Sequence, residues 1–242
     1  MHLQAHIHSK ETFGALDGPG IRYVLFLQGC PLKCLYCHNR DLWEQDGAVL
    51  HMTPDEVAED VLKYKNFIRS GGVTLSGGEP LMQSEFCTEL MKKLKIHGIK
   101  TAVDTSGIMP LEVSKPALDE CDLVLLDIKS IDEDMAIRLT GASNKNALST
   151  LDYLESIAKP VWIRHVVVPG YTLDYDMLER TAQYLQKFRC IQRTELLPFH
   201  KLGEYKWEFY PNSYLLKDTQ PPLPDEMEKA REIFTSRGIV CK

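Results

Sequence analysis

The sequence predicts an α/β fold, a mostly parallel sheet curled into a partial (β/α) barrel of about six units. Three observations carry that reading. Six short β-rich runs alternate with helical segments along the 242 residues. Several of the runs are near-continuously apolar (VLFL, LVLL, VVV), as parallel strands buried on both faces are. The unusual polar and glycine-rich motifs come just after strands, and in α/β folds the carboxyl ends of parallel strands build the site. The same alternation also suits an open doubly wound sheet. No Gly-rich dinucleotide fingerprint follows any strand, because Gly18-Pro19-Gly20 precedes the first.

Strands are expected at 22–28, 73–75, 100–103, 123–127, 161–168 and 194–197. Between them, Thr53-Pro54-Asp55-Glu56 is a capping box with proline at the first helical position. Val57, Val61, Leu62 and Tyr64 continue it at helical spacing. Phe86, Leu90 and Leu94 lie four apart, and Gly98 is placed to end that helix. Further helices are expected at 147–158, 175–188 and 224–237, the last stopped by Gly238. No domain-sized linker, low-complexity tract or repeat interrupts the pattern. Residues 1–242 therefore read as a single domain, with an N-terminal extension at 1–20.

Composition narrows the class. The chain is 44% hydrophobic and 26% charged, with a net charge of −6. An acidic chain without a basic run is a poor nucleic-acid binder. No apolar stretch approaches the roughly 20 residues of a membrane-spanning helix. The segment from Met1 to Lys10 carries histidines and no apolar core, unlike a signal peptide. A cytoplasmic protein is expected, so its seven cysteines are not expected to form disulfides. Cys87, Cys121, Cys190 and Cys241 are scattered and read as small core residues.

Cys30, Cys34 and Cys37 are different, because they offer three thiolates on one short loop at 29–39. Thiolates suit zinc or an iron–sulfur cluster. Structural zinc closes with four ligands, usually as two separated pairs, and no second pair is present. A four-iron cluster held by three cysteines leaves one iron open to a small molecule. Other motifs follow the later strands: Ser76-Gly77-Gly78-Glu79, Asp104-Thr105-Ser106-Gly107, Asp127-Ile128-Lys129, Pro169-Gly170 and Pro198-Phe199-His200. Two carboxylates such as Asp104 and Asp127 at one mouth would repel unless a cation or proton lay between them. Lys129 falls on the same strand face as Asp127. Blander roles exist for each: helix capping for Asp104 or Thr105, turn stabilisation for Asp17, an internal ion pair for Arg164.

The C-x₃-C-x₂-C loop after the first strand, with Gly77-Gly78-Glu79 after the second, resembles the radical S-adenosylmethionine (SAM) superfamily. More narrowly, Asp17-Gly18-Pro19-Gly20-Ile21-Arg22, the run from Phe26 to Gly29, and Cys37-His38-Asn39 resemble the glycyl-radical-activating enzymes. Trp162-Ile163-Arg164 and Leu196-Leu197-Pro198-Phe199-His200 extend the likeness toward the C-terminus. Some relatives insert a ferredoxin-like domain after the cluster loop. Here the capping box begins at Thr53 and no cysteine occurs between Cys37 and Cys87, so that insert is missing. Pro80 stands where the nearest pattern has alanine.

The resemblance implies a partial (β/α)6 TIM-like barrel of the radical SAM type. It implies a [4Fe–4S] cluster on Cys30, Cys34 and Cys37, whose open iron binds SAM. Reductive cleavage of SAM would give methionine and a 5′-deoxyadenosyl radical, which takes the Cα hydrogen of one glycine on a partner enzyme. The SAM contacts implied are Tyr36, Cys37, His38, Gly77, Gly78, Glu79, Asp127, Ile128, Lys129 and His200. A monovalent cation is implied at Asp104, Thr105, the Leu125 carbonyl and Asp127. Asp17 and Arg164 are the implied contacts to the partner. That partner is a glycyl radical enzyme, nearest to pyruvate formate-lyase, with a flavodoxin-like or ferredoxin-like electron donor and a monomeric state. The alternatives are another glycyl radical enzyme as target, or a small-molecule reaction such as that of 7-carboxy-7-deazaguanine synthase.

Overall fold

The computed structural model describes residues 3–210 and 214–242, so His2 of the N-terminal histidine group lies outside the described residues. Among the described residues, eight strands form one mixed sheet in the order β3-β1-β2-β4-β5-β6-β7-β8, open, with β3 and β8 at its ends. The six expected strands are all present: β2 (Arg22–Leu27), β4 (Gly72–Gly77), β5 (Thr101–Thr105), β6 (Leu123–Asp127), β7 (Val161–Val167) and β8 (Ile191–Pro198). The pairs β2–β4, β4–β5 and β7–β8 are parallel, as near-continuous apolar runs demand.

Two strands were not expected. β1 (Ala5–Gly14) occupies half of the N-terminal extension, and β3 is Leu50–Met52. β1 pairs antiparallel with both β2 and β3. Only Ala5, Ile7 and Gly14 of β1 are buried, so its alternation fades along its length and gives a weak signal. Its register with β2 also shifts twice, between Ile7 and Ser9 and between Glu11 and Gly14.

The chain clusters into two compact units. The first comprises 1–31, 41–105 and 109–125; the second comprises 32–40, 106–108 and 126–242. In the first unit, α1 (Pro54–Lys63) starts at the expected capping box. The Glu56 carboxylate accepts from the Thr53 amide at 2.7 Å, and the Thr53 hydroxyl accepts from the Glu56 amide at 3.3 Å. α2 (Ser84–Ile96) buries Phe86, Leu90 and Leu94, and Gly98 follows it at φ 69°, in the left-handed region. α3 (Leu111–Glu120) was missed because Pro116 sits inside it and reads as a breaker.

In the second unit, α4 (Glu133–Thr140) has only eight residues, too short for its periodicity to stand out. α5 (Lys145–Ser156), α6 (Tyr175–Leu185) and α7 (Pro224–Thr235) lie where the sequence put them. Beside β8, the Thr194 and Leu196 amides donate to the Val240 and Lys242 carbonyls at 2.8 and 2.9 Å. No disulfide is formed. Cys87, Cys121 and Cys190 are buried, and Cys241 is half-buried. Burial pushes the thiol of Cys87 well up, that of Cys190 to about 12 and that of Cys241 to about 11, so these stay protonated at neutral pH. Among the described residues no helix is long and apolar enough to cross a membrane.

Candidate functional site

The strand-end motifs of the first unit meet at the end of β2. The Gly78 amide donates to the Leu27 carbonyl at 2.9 Å and the Glu79 amide to the Gly29 carbonyl at 2.8 Å. A Cβ on Gly78 would lie 2.2 Å from the Gly29 oxygen, and one on Gly77, at φ 120°, would lie 2.3 Å from the Leu27 oxygen. These glycines let the turn after β4 press against the loop that leads to Cys30. Glu79 is fully buried; its Oε1 accepts from the Thr105 hydroxyl at 2.6 Å and the Leu81 amide at 3.1 Å. Its carboxylate thereby caps the 3₁₀ turn Pro80–Gln83, and Pro80 takes the first position of that turn, where no donor is needed. The Asp104 carboxylate accepts from the Ser76 hydroxyl at 2.9 Å. Leu125 is buried in β6, and Asp17 is half-exposed in the turn before β2.

In the second unit the rest of the cysteine loop is tied down from several sides. The Lys33 and Leu35 amides donate to the carbonyls of Thr140 and Leu139, at the end of α4, at 2.9 and 2.8 Å. The Cys37 amide closes a turn on the Cys34 carbonyl at 3.0 Å. The Trp207 indole N–H donates to the Cys37 carbonyl at 2.9 Å. Gly203 packs so closely that a Cβ there would sit 2.4 Å from both Cα and O of His38. The His38 ring lies 5.2 Å from that of His200, whose Nδ1 accepts from the Leu202 amide at 3.3 Å. Arg40 stacks over Tyr210 with its guanidinium carbon 3.8 Å from the ring centroid.

The strand ends of this unit carry the charge. Lys129 is ion-paired with Asp127 and lies 5.4 Å from the Tyr36 ring centroid. Burial works against the ammonium, but Asp127, Tyr36 and Cys34 outweigh it and hold Lys129 well above its ordinary value. Burial also raises the Tyr36 phenol well above its usual range, with Lys129 opposing. Lys129 thus places one positive charge beside Asp127. Ile128 donates its amide to the Arg164 carbonyl at 2.9 Å, and its carbonyl lies 2.8 Å from His165 Nδ1. The Arg164 side chain is ion-paired with Glu195 at 3.1 Å, the internal ion pair that the sequence also allowed.

The residues fit the implied cofactors on one observation. Asp127 Oδ1 and His165 Nε2 are buried with no hydrogen-bond partner, which native interiors avoid unless a ligand or water completes them.

Sequence reasoning assigned no role at this site to Trp207, His165, Glu195 or the Ser76 hydroxyl. Trp207 is buried and Phe209 is 79% exposed, so these neighbouring aromatics serve two environments. Trp207 reaches Cys37 across 170 residues, a pairing no local pattern announces.

A model of the Radical SAM superfamily matches residues 24–185. Pyruvate formate-lyase-activating enzyme of Staphylococcus epidermidis is 41% identical over 98% of this chain and 98% of its own length. The enzyme of that name from Staphylococcus aureus is 42% identical over the same shares. A solved domain of pyruvate-formate lyase-activating enzyme from Bacteroides vulgatus matches with a TM-score of 0.60 at 26% identity, covering 71% of this chain and 98% of that one. SuiB of Streptococcus suis, bound to precursor peptide SuiA, matches with a TM-score of 0.67 at 16% identity over 89% of this chain and 47% of that one, a likeness of fold.

Proposed function

The chain belongs to the radical SAM superfamily, and we propose from that premise that it activates pyruvate formate-lyase by forming a glycyl radical on it. The geometry that best supports this reading is the pair of unsatisfied buried atoms on Asp127 and His165, in the unit that also carries Cys34 and Cys37. Bound here, a reduced [4Fe–4S] cluster with SAM supplies the one-electron chemistry that removes a hydrogen atom from a glycine Cα.

In this reading Cys30, Cys34 and Cys37 hold the cluster. Glu79 and Asp127 offer carboxylates to the SAM ammonium, and Lys129 offers a charge to its carboxylate. Gly77, Gly78 and Ile128 bring backbone close to SAM, while Tyr36, His38 and His200 offer rings to its adenosine. Asp104, Thr105 and the Leu125 carbonyl, with Asp127, remain the proposed ligands of a monovalent cation. Asp17 faces the partner loop, and Arg164 joins it by releasing Glu195 or acting with it. The chain works as one cytoplasmic domain and a monomer, fed by a flavodoxin-like or ferredoxin-like donor.

The test is anaerobic. Reconstituted and reduced protein mixed with SAM releases 5′-deoxyadenosine and methionine, and Cys34→Ala releases none while keeping its far-ultraviolet circular dichroism. A Cys34→Ala protein that cleaves SAM at the parental rate removes the cluster from this loop.

A further inference from the structure

The turn 17–20 ahead of β2 is held by one buried side chain. Arg22 is only 2% exposed. Its Nε donates to the Thr74 hydroxyl at 2.5 Å, its Nη1 to the Gly71 and Pro19 carbonyls at 2.8 and 3.2 Å, and its Nη2 to the Val73 carbonyl at 2.6 Å. All four acceptors are neutral. A buried charge with no directly bonded counter-charge is costly, and an apolar side chain would stabilise a strand start better. Burial lowers Arg22 to about 10, with Asp122 and Asp17 pulling the other way, so it remains charged at neutral pH.

The hydrogen bonds run on to the turn. The Thr74 hydroxyl that accepts from Arg22 donates to the Asp17 carbonyl at 2.6 Å. The packing leaves no slack: a Cβ on Gly20 would lie 2.4 Å from the Ser70 oxygen, and one on Gly71 would lie 2.6 Å from the Pro19 oxygen. Both ends of the turn are therefore fixed by one guanidinium, at Pro19 directly and at Asp17 through Thr74. Asp17 itself is half-exposed, between an exposed Leu16 and an exposed Pro19.

We propose that Arg22 and Thr74 are positioning residues that lock the Asp17–Gly20 backbone, so that the Asp17 carboxylate meets the partner's glycine-bearing loop already oriented. This rests on the function proposed above. Pre-ordering the turn removes an entropy cost from binding, so its loss weakens association with the partner rather than the chemistry of SAM.

Thr74→Val breaks the link between Arg22 and Asp17, Thr74→Ser keeps the hydroxyl, and Arg22→Lys removes the multi-donor fork. Two readouts are made on the reconstituted enzyme. Amide hydrogen exchange at Asp17, Gly18 and Gly20 speeds up in Thr74→Val and Arg22→Lys and returns to the parental rate in Thr74→Ser. The KM for pyruvate formate-lyase rises about tenfold in Thr74→Val, as loss of a buried hydrogen bond to a charged group does, with a smaller change in 5′-deoxyadenosine released without partner. Unaltered exchange in the turn overturns the lock. Faster exchange with an unaltered KM overturns its role in partner binding. If the parent itself makes no glycyl radical, the function proposed above fails, while the exchange data still decide whether the lock exists.

Discussion

A buried or half-buried carboxylate needs partners, and each acid in this chain finds different ones. Glu79 is answered by a hydroxyl and an amide, and Asp127 by Lys129. Asp60 is answered three times: Lys10 and Tyr23 donate to Oδ2 at 2.8 Å each, and Lys63 donates to Oδ1 at 3.1 Å. Burial alone would raise Asp60, but these donors prevail and hold it at about 2. Its folded value lies below the unfolded one of about 3.9. The ion therefore stabilises the fold above the unfolded value and ceases to do so as pH falls through the folded one. After allowance for solvent screening this is worth about 1 kcal/mol. Asp60→Asn is expected to lower Tm at pH 6, and the gap to the parent to narrow as pH falls from 5 toward 3. A gap independent of pH would mean that the ionised form is not what matters. The cysteine loop was legible because its information is local, three thiols within eight residues. Glu195 and Ser76 were not, because their importance lies only in what they pair with: Arg164 and Asp104.

Elements divide in the same way. α1 was readable from four residues because a capping box is a local contract between Thr53 and Glu56. β1 was not, because its identity comes from pairing with β2 and β3 rather than from its own apolar pattern. The 3₁₀ turn Glu204–Phe209 is a third case. It has no sequence signature, yet it carries Trp207 to Cys37 and follows the Gly203 that packs on His38. Gly203→Ala is expected to displace the end of the cysteine loop, at about 1–3 kcal/mol, the usual cost of overpacking. Iron bound per chain after reconstitution should fall while far-ultraviolet circular dichroism is unchanged. A full iron load would show that this contact does not hold the loop in place.

For the whole chain, the α/β class and the six expected strands were legible because each repeats one local pattern, an apolar run followed by a polar motif. The full sheet was not, since the antiparallel β1 and β3 extend it beyond the alternating array. The central claim is that a glycine on another enzyme is the target. The most direct measurement is an electron paramagnetic resonance spectrum of the reduced, reconstituted protein mixed anaerobically with SAM and pyruvate formate-lyase. The account predicts an organic radical signal split by one α-hydrogen, with 5′-deoxyadenosine formed alongside. A fully loaded protein that releases 5′-deoxyadenosine and leaves pyruvate formate-lyase without that doublet would contradict it.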